Sequence, residues 1–186
     1  MKIRRLVTGH DAQGHSVFVS DGFAPRAQNF TSIPGHGMAQ LWSTLPLPTL
    51  PDQASDPTVA LASLIPTQGG TSIALFDFPP DTVMHNPADG VQAYTELGAA
   101  LPGLIECFEA DSPGMHTTAT IDYGVILEGE MWLELDNGES RLVKAGDIVI
   151  QNGTRHAWRN KSQQIARALF VMIGVTPSAP TSQGLL

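Results

Sequence analysis

The chain has 186 residues, 42% of them hydrophobic and 15% charged, which is enough apolar material for one domain with its own core and too much for a disordered chain. Its net charge of −8 argues against nucleic acid and anionic membrane surfaces as partners, since both select basic patches. A single cysteine, Cys107, excludes an internal disulfide and a multi-cysteine metal site. In chain order, "IRRLVTGHDAQGHSVFVSDG" reads as two strands around Gln13-Gly14, an N-terminal hairpin. The basic start has no apolar stretch behind it, so no secretory signal is expected, and the richest apolar run, "ALFVMIGV", is strand-sized. A soluble cytoplasmic protein is the expectation. "GMAQLWSTL" is another strand candidate. It is followed by a loop punctuated by Pro46, Pro48, Pro51 and Pro57, and then by the strand "TSIALFDF".

Between Asp81 and Gly114 the pattern changes. Asn86 stands as an N-cap, Pro87 at the first helical position and Asp89 in the first turn. Val91, Tyr94 and Leu97 share a face, and Gly98 offers a C-terminal stop, which predicts one short helix within 86–101. After it come six strand candidates: "TATIDYGVIL", "MWLELD", "SRLVKA", "DIVIQ", "HAWRN" and "ARALFVMIGV". Asn137-Gly138 and Asn152-Gly153 supply the positive φ angles that tight turns need. Short strands joined this way must fold over one another, as a sandwich or a jelly-roll barrel. The chain divides into N-terminal strands and a Pro-rich loop (1–80), a helix-containing insertion (81–114), a core (115–174) and a loose polar tail (175–186).

Within the core, "MHTTATIDYGVILEGE" is polar at every second residue: His116, Thr118, Thr120 and Asp122. In a strand these four share one face. If that face is the interior, the outer face carries Tyr123, Val125 and Leu127. A second segment, "GDIVIQNGTRHAWRN", returns the chain through Asn152-Gly153 towards His156, with Trp158 and Asn160 on the same face by parity. Small β-barrels hold one ligand in their interior, so these residues are candidates for a ligand pocket.

The two segments resemble the paired motifs of the cupins, small jelly-roll barrels. Motif one runs His-x-His, three or four residues, Glu, six residues, Gly. His116 matches the first histidine, Thr118 stands where the second would be, Asp122 replaces the glutamate, and Gly129 follows at the right spacing. Motif two runs Gly, five residues, Pro-x-Gly, two residues, His, three residues, Asn. Gly146, Gly153, His156 and Asn160 match, while Gln151 holds the proline position and the first spacing is one residue short. The strings "DYGVILEGE", "GDIVIQNGTRHAWRN" and "ALFVMIG", together with the N-terminal hairpin region, are similar to one group of single-domain cupins. The resemblance implies an all-β jelly-roll barrel with a hairpin extension and one inserted helix, assembled as a homodimer.

In metal-binding cupins the ligands are the motif histidines and the glutamate. Carried over residue by residue, that set becomes His116, Asp122 and His156, with no match at Thr118. Two imidazoles and one carboxylate suit a divalent iron, zinc, nickel or manganese ion. The alternative is a metal-free interior in which these residues satisfy one another. The same three residues are the candidate catalytic groups, with Thr118, Thr120, Trp158 and Asn160 as the ligand pocket. The implied function is a cupin acting on a small organic molecule, as a metal-dependent dioxygenase, decarboxylase or isomerase. A metal-free isomerase or lyase and a non-catalytic ligand-binding barrel are the other two readings. The expected bystanders are Arg155 and Arg159 on a solvated face, His10, His15, His36 and His85 at the surface, Phe76 and Phe78 in the core, and an inert Cys107.

Overall fold

The computed structural model describes residues 1–50, 56–60 and 62–177. Pro51 of the proline-rich loop and the last nine residues of the expected tail lie outside them. Strands β1 (Arg4–His10) and β2 (Ser16–Phe23) pair antiparallel around Gly14, whose φ is +83°, and form a two-stranded ribbon of their own. The main sheet has six strands: β3 (Arg26–Asn29), β4 (Gly37–Thr44), β5 (Thr71–Phe78), β6 (Thr120–Glu128), β9 (Ile148–Asn152) and β11 (Ala166–Gly174). Its spatial order is β3-β4-β5-β11-β6-β9. A smaller sheet, in the order β10-β7-β8, contains β7 (Glu130–Glu134), β8 (Ser140–Lys144) and β10 (Ala157–Arg159). The molecule is therefore mostly β, as expected, but its hydrogen bonding forms three separate sheets and does not close a barrel. All six strands expected in the C-terminal half are present, and β3 is an additional one that no sequence pattern marked.

One core joins the two larger sheets. Met38, Phe76, Ile126 and Phe170 from the six-stranded sheet pack in one cluster with Met131, and Val143 and Trp158 of the smaller sheet lie against it. In β11 alternate residues are buried without exception, from Ala166 to Gly174. Its neighbour β6 follows the same period, with Thr120, Asp122, Gly124 and Ile126 inside. Gly124 lies opposite Phe170, and a Cβ there would stand 3.1 Å from the Phe170 ring, so the small residue makes room for the aromatic one.

The main helix lies within the predicted span but starts later than its predicted cap. A short turn of helix, α1 (Asp81–Met84), precedes the main helix α2 (Gly90–Ala100). Asp89, not Asn86, caps α2, its carboxylate accepting from the backbone N–H of Gln92. Asn86 donates back to the Thr82 carbonyl and so closes α1 instead. The buried face of α2 is also different. Ala93 and Ala100 are buried and Leu97 packs on the core, whereas Val91 and Tyr94 are exposed and Gly98 lies inside the helix. The Glu96 carboxylate holds the helix to the loop before β4, accepting from the backbone N–H groups of Thr31 and Ser32 and from both hydroxyls. These donors pull its pKa down to about 2.

Two glycines shape the approach to the interior. At Gly129, φ is +73° and a Cβ would lie 3.0 Å from the Ala166 Cα, so only glycine lets β6 pass directly into β7. At Gly153, φ is +60°, and this turn carries the chain from β9 towards His156. Asn152, by contrast, keeps an ordinary negative φ, so the turn is not the double-positive type the Asn-Gly pair suggested. Gly153→Val should destabilise the domain by about 1–3 kcal/mol, the cost of forcing a β-branched residue to positive φ. Thermal melts of the two proteins check this, and an unchanged midpoint would refute it.

Candidate functional site

The interior stripe of β6 and the return segment after β9 converge. His116 and His156 form a reciprocal antiparallel pair: the N–H of His116 donates to the His156 carbonyl at 2.9 Å, and the N–H of His156 to the His116 carbonyl at 3.0 Å. Their rings consequently lie side by side, with centroids 4.2 Å apart. Each Nδ1–H donates to the carbonyl two residues back, at 3.1 Å to Gly114 and 2.9 Å to Thr154. A carbonyl can only accept, so in the neutral rings the Nε2 atoms carry the free lone pairs. His116, Thr118, Thr120, Asp122 and His156 are all buried, while Tyr123 and Leu127 are exposed. The polar stripe thus faces inward.

The cavity beside them has a volume of about 130 Å³. Phe76, Phe78, Phe108, Trp158 and Phe170 provide aromatic walls, and Leu101, Leu104 and Met172 are among the aliphatic ones. His116, His156, Thr118 and Asp122 are its polar lining at one place, and His85 and His36 also border it. Two expected pocket residues lie elsewhere. Thr120 is fully buried beneath the lining and donates to the Thr118 hydroxyl at 2.8 Å. Asn160 is a structural tie: its amide donates to the Phe78 and Gln164 carbonyls, and its side-chain oxygen accepts from Ser162.

Burial sets the charge states. Desolvation lowers the pKa of His116, and desolvation with the neighbouring His116 brings that of His156 down to about 4. Desolvation pushes the Asp122 carboxyl up, opposed by the Thr120 hydroxyl. Asp122 Oδ1 is buried without a hydrogen-bond partner, a costly position for an anion and a cheaper one for a protonated acid. At neutral pH the site therefore holds two uncharged imidazoles beside a carboxyl whose pKa burial raises.

The expected metal ligands border one cavity without forming a three-ligand cluster. Among the described residues, no three His, Cys, Asp or Glu side chains are gathered closely enough to hold a metal ion. His116 and His156 offer two nitrogens, but Asp122 does not complete a third ligand, and Thr118 contributes only a neutral hydroxyl. Two donors are a poor fit for a tightly held divalent cation.

Several other residues differ from their sequence reading. His36, expected at the surface, is only 4% exposed. Phe76 and Phe78 are core residues that also wall the cavity. Arg155 and Arg159 are not simply solvated. Arg155 pairs with Glu109 at 2.6 Å and Asp136 at 2.8 Å. Arg159 pairs with Glu134 at 2.6 Å and donates to the Pro113 carbonyl at 2.7 Å. Both arginines brace the segment that delivers His116, a role visible only once partners distant in sequence are in place. Cys107 is half-buried, its thiol donating to the Gly103 carbonyl and its pKa raised by burial, in keeping with an inert residue.

A family model, that of the Cupin domain, matches residues 107–172, the span that contains the whole histidine pair. Phomopsin biosynthesis cluster protein C' of Diaporthe leptostromiformis is 33% identical over 175 residues, covering 93% of this chain and 79% of that protein. The chain belongs to the cupins. Oryzines biosynthesis cluster protein J of Aspergillus oryzae is 42% identical to this cupin over 89 residues, 47% of the chain and about half (50%) of that protein's length. A cupin-domain-containing oxidoreductase of Aspergillus ruber is 27% identical over 175 residues, 92% of this chain and 72% of that one. No helix among the described residues is long and apolar enough to cross a membrane.

The buried histidines give this cupin an acid-sensitive fold. His36 and His156 have pKa values near 4 in the folded state, against 6.5 for an unperturbed histidine. The unfolded chain therefore binds more protons between these values, and stability present above pH 6.5 is lost as pH falls towards 4. The raised Asp122 carboxyl has the opposite sign and offsets part of the loss. The melting midpoint should drop over this window, and His156→Phe should flatten the dependence. Midpoints recorded every half pH unit would show it, and a flat wild-type profile would contradict it.

Proposed function

We propose that this chain is a small-molecule enzyme that moves protons on a largely apolar substrate. His116 or His156 acts as general base through Nε2, and Asp122 acts as the partner acid. The carrying observation is the pair of neutral imidazoles, each fixed in one tautomer by its backbone carbonyl, beside a buried carboxyl with one unpaired oxygen. A base must be uncharged to accept a proton and an acid protonated to give one, and burial biases each towards the form it needs. The reaction class is then isomerisation or elimination next to a carbonyl. The base takes a proton from carbon, Asp122 protonates or hydrogen-bonds the oxygen that gains charge, and the apolar walls exclude water. The names of the relatives, biosynthesis cluster proteins and a cupin-domain-containing oxidoreductase, support an enzyme acting on small organic molecules. A cavity of roughly 150 Å³ with apolar walls accommodates benzene, so the buried part of the substrate is about one ring in size.

The test is deuterium uptake from heavy water into a panel of small apolar ketones and aldehydes, read by mass spectrometry. Wild-type protein should accelerate exchange. His116→Ala and His156→Ala should each lower the rate by about 10²–10⁴-fold if that histidine is the base, and Asp122→Asn should lower it as well. Exchange that vanishes on chelation, with stoichiometric metal in the purified protein, would replace this reading by metal-assisted chemistry. That alternative draws on the two free Nε2 atoms and on the relative's name.

The second part of the proposal is a homodimer with the jelly-roll arrangement of its family. Leu6, Phe18, Val19 and Phe23 are exposed on the N-terminal ribbon, and Tyr123, Leu127, Ile148 and Ile150 on the outer face of β6 and β9. Apolar surface on this scale, with β9 an open sheet edge, supports pairing of two copies across it. Light scattering should give twice the monomer mass at micromolar concentration, and Ile148→Lys with Ile150→Lys should return the monomer.

A further inference from the structure

His36 is a buried imidazole that the proton chemistry above leaves unused. It follows a turn closed by the His36 N–H donating to the Ile33 carbonyl at 3.0 Å, and its own carbonyl accepts from the Phe30 N–H at 2.9 Å. Its ring stacks on Phe30, with centroids 4.6 Å apart. Nδ1 lies 2.7 Å from the Asp77 carbonyl and must be the donor there, which leaves Nε2 with the lone pair. That nitrogen has no hydrogen-bond partner among the described residues, although the side chain is 4% exposed and borders the cavity. Unlike Asp122 Oδ1, this nitrogen is not sealed within the protein, so it is open to a hydrogen-bond partner in the cavity that His36 borders.

His36 makes no ring contact with the other cavity histidines. The ring contacts run from His36 to Phe78 at 6.2 Å, Phe78 to Phe170 at 6.5 Å, Phe170 to Trp158 at 5.4 Å and Trp158 to His156 at 6.2 Å. These three aromatic rings link His36 to the histidine pair around the cavity wall. A ligand lying against that wall meets a polar group at each end and apolar surface between.

We propose that His36 is a second polar anchor of the ligand site, its Nε2 accepting a hydrogen bond from a hydroxyl or N–H group on the ligand end remote from His116 and His156. The proposal rests on the cavity being the ligand site and deepens that reading. The ligand is bipolar: a reacting, carbonyl-bearing end at the histidine pair, an apolar middle and a hydrogen-bond donor at His36. Burial keeps His36 uncharged at neutral pH, so it recognises a donor and not an anion. It is a positioning residue, not an acid or base of the reaction.

Hydroquinone, which offers a donor at both ends of one ring, and p-xylene, its donor-free isostere, are suitable probes, added under nitrogen to ¹⁵N-labelled protein. Hydroquinone should shift the His36 Nε2 resonance, and p-xylene should not. His36→Phe, which keeps a ring against Phe30, should weaken hydroquinone about three- to tenfold, the value of one hydrogen bond, and leave p-xylene unchanged. If hydroquinone shifts only the His116 and His156 nitrogens, His36 is no anchor and the site reading survives. If no cavity histidine responds to either probe, both fall. Because the resonance experiment uses wild-type protein, it decides the matter even if His36→Phe does not fold.

Discussion

The reciprocal backbone pair between His116 and His156 is the constraint from which the site follows. Residues forty positions apart are locked opposite each other by two short hydrogen bonds, and such a pair sets its side chains on the same face. Imidazoles brought to 4.2 Å in this way cannot both be protonated at reasonable cost, because both are buried and like charges at this distance repel. The arginines outside the pair serve the same geometry. Arg155 ties Glu109 and Arg159 ties Pro113, so the segment leading to His116 is held against the segment around His156 at two points. Gly153 and Gly129 supply the turns that bring the segments there. The site is thus built by backbone pairing and braced by surface charges, with the side chains carried as passengers to a fixed spacing.

Much of this was legible in the sequence, and the limits have physical reasons. Alternation along β6 and β11 is visible in the residues because one face of each meets a core and the other does not. Parity puts the residues from His116 to Asp122 on one face, and the separate motif match at His156 is what pointed that face inward. The helix cap could not: Asn86 and Asp89 are equally good caps in isolation, and the choice fell to Asp89 because α1 uses Asn86 to close its own turn. His36 was missed for a related reason. It follows a Pro-Gly turn, which suggests the surface, and only the Phe30 ring and the Asp77 carbonyl, from partners distant in the fold, make its burial tolerable. A ligand set is harder still to read, because motif spacing fixes which residues face inward and not how far their tips reach. Asp122 faces inward as the pattern implies, yet it forms no three-ligand cluster with the two histidines.

Thr118 shows how one residue redirects the chemistry of such a site. Where the motif has a second histidine, this chain has a hydroxyl that accepts a hydrogen bond from Thr120 at 2.8 Å. The Thr118 hydroxyl keeps its own proton to donate, and it borders the cavity together with Asp122. A histidine there would add a third lone pair to those of His116 and His156 and favour a cation. A hydroxyl adds a donor instead, and a donor beside two neutral bases and an acid-biased carboxyl favours a substrate oxygen. A bound cation would favour the ionised form of Asp122, so the residue at position 118 and the charge of that carboxyl are coupled. In the proposed proton chemistry the departure from the motif at Thr118 and the unpaired oxygen of Asp122 act together, because burial raises the carboxyl and the hydroxyl puts no third nitrogen beside the two imidazoles.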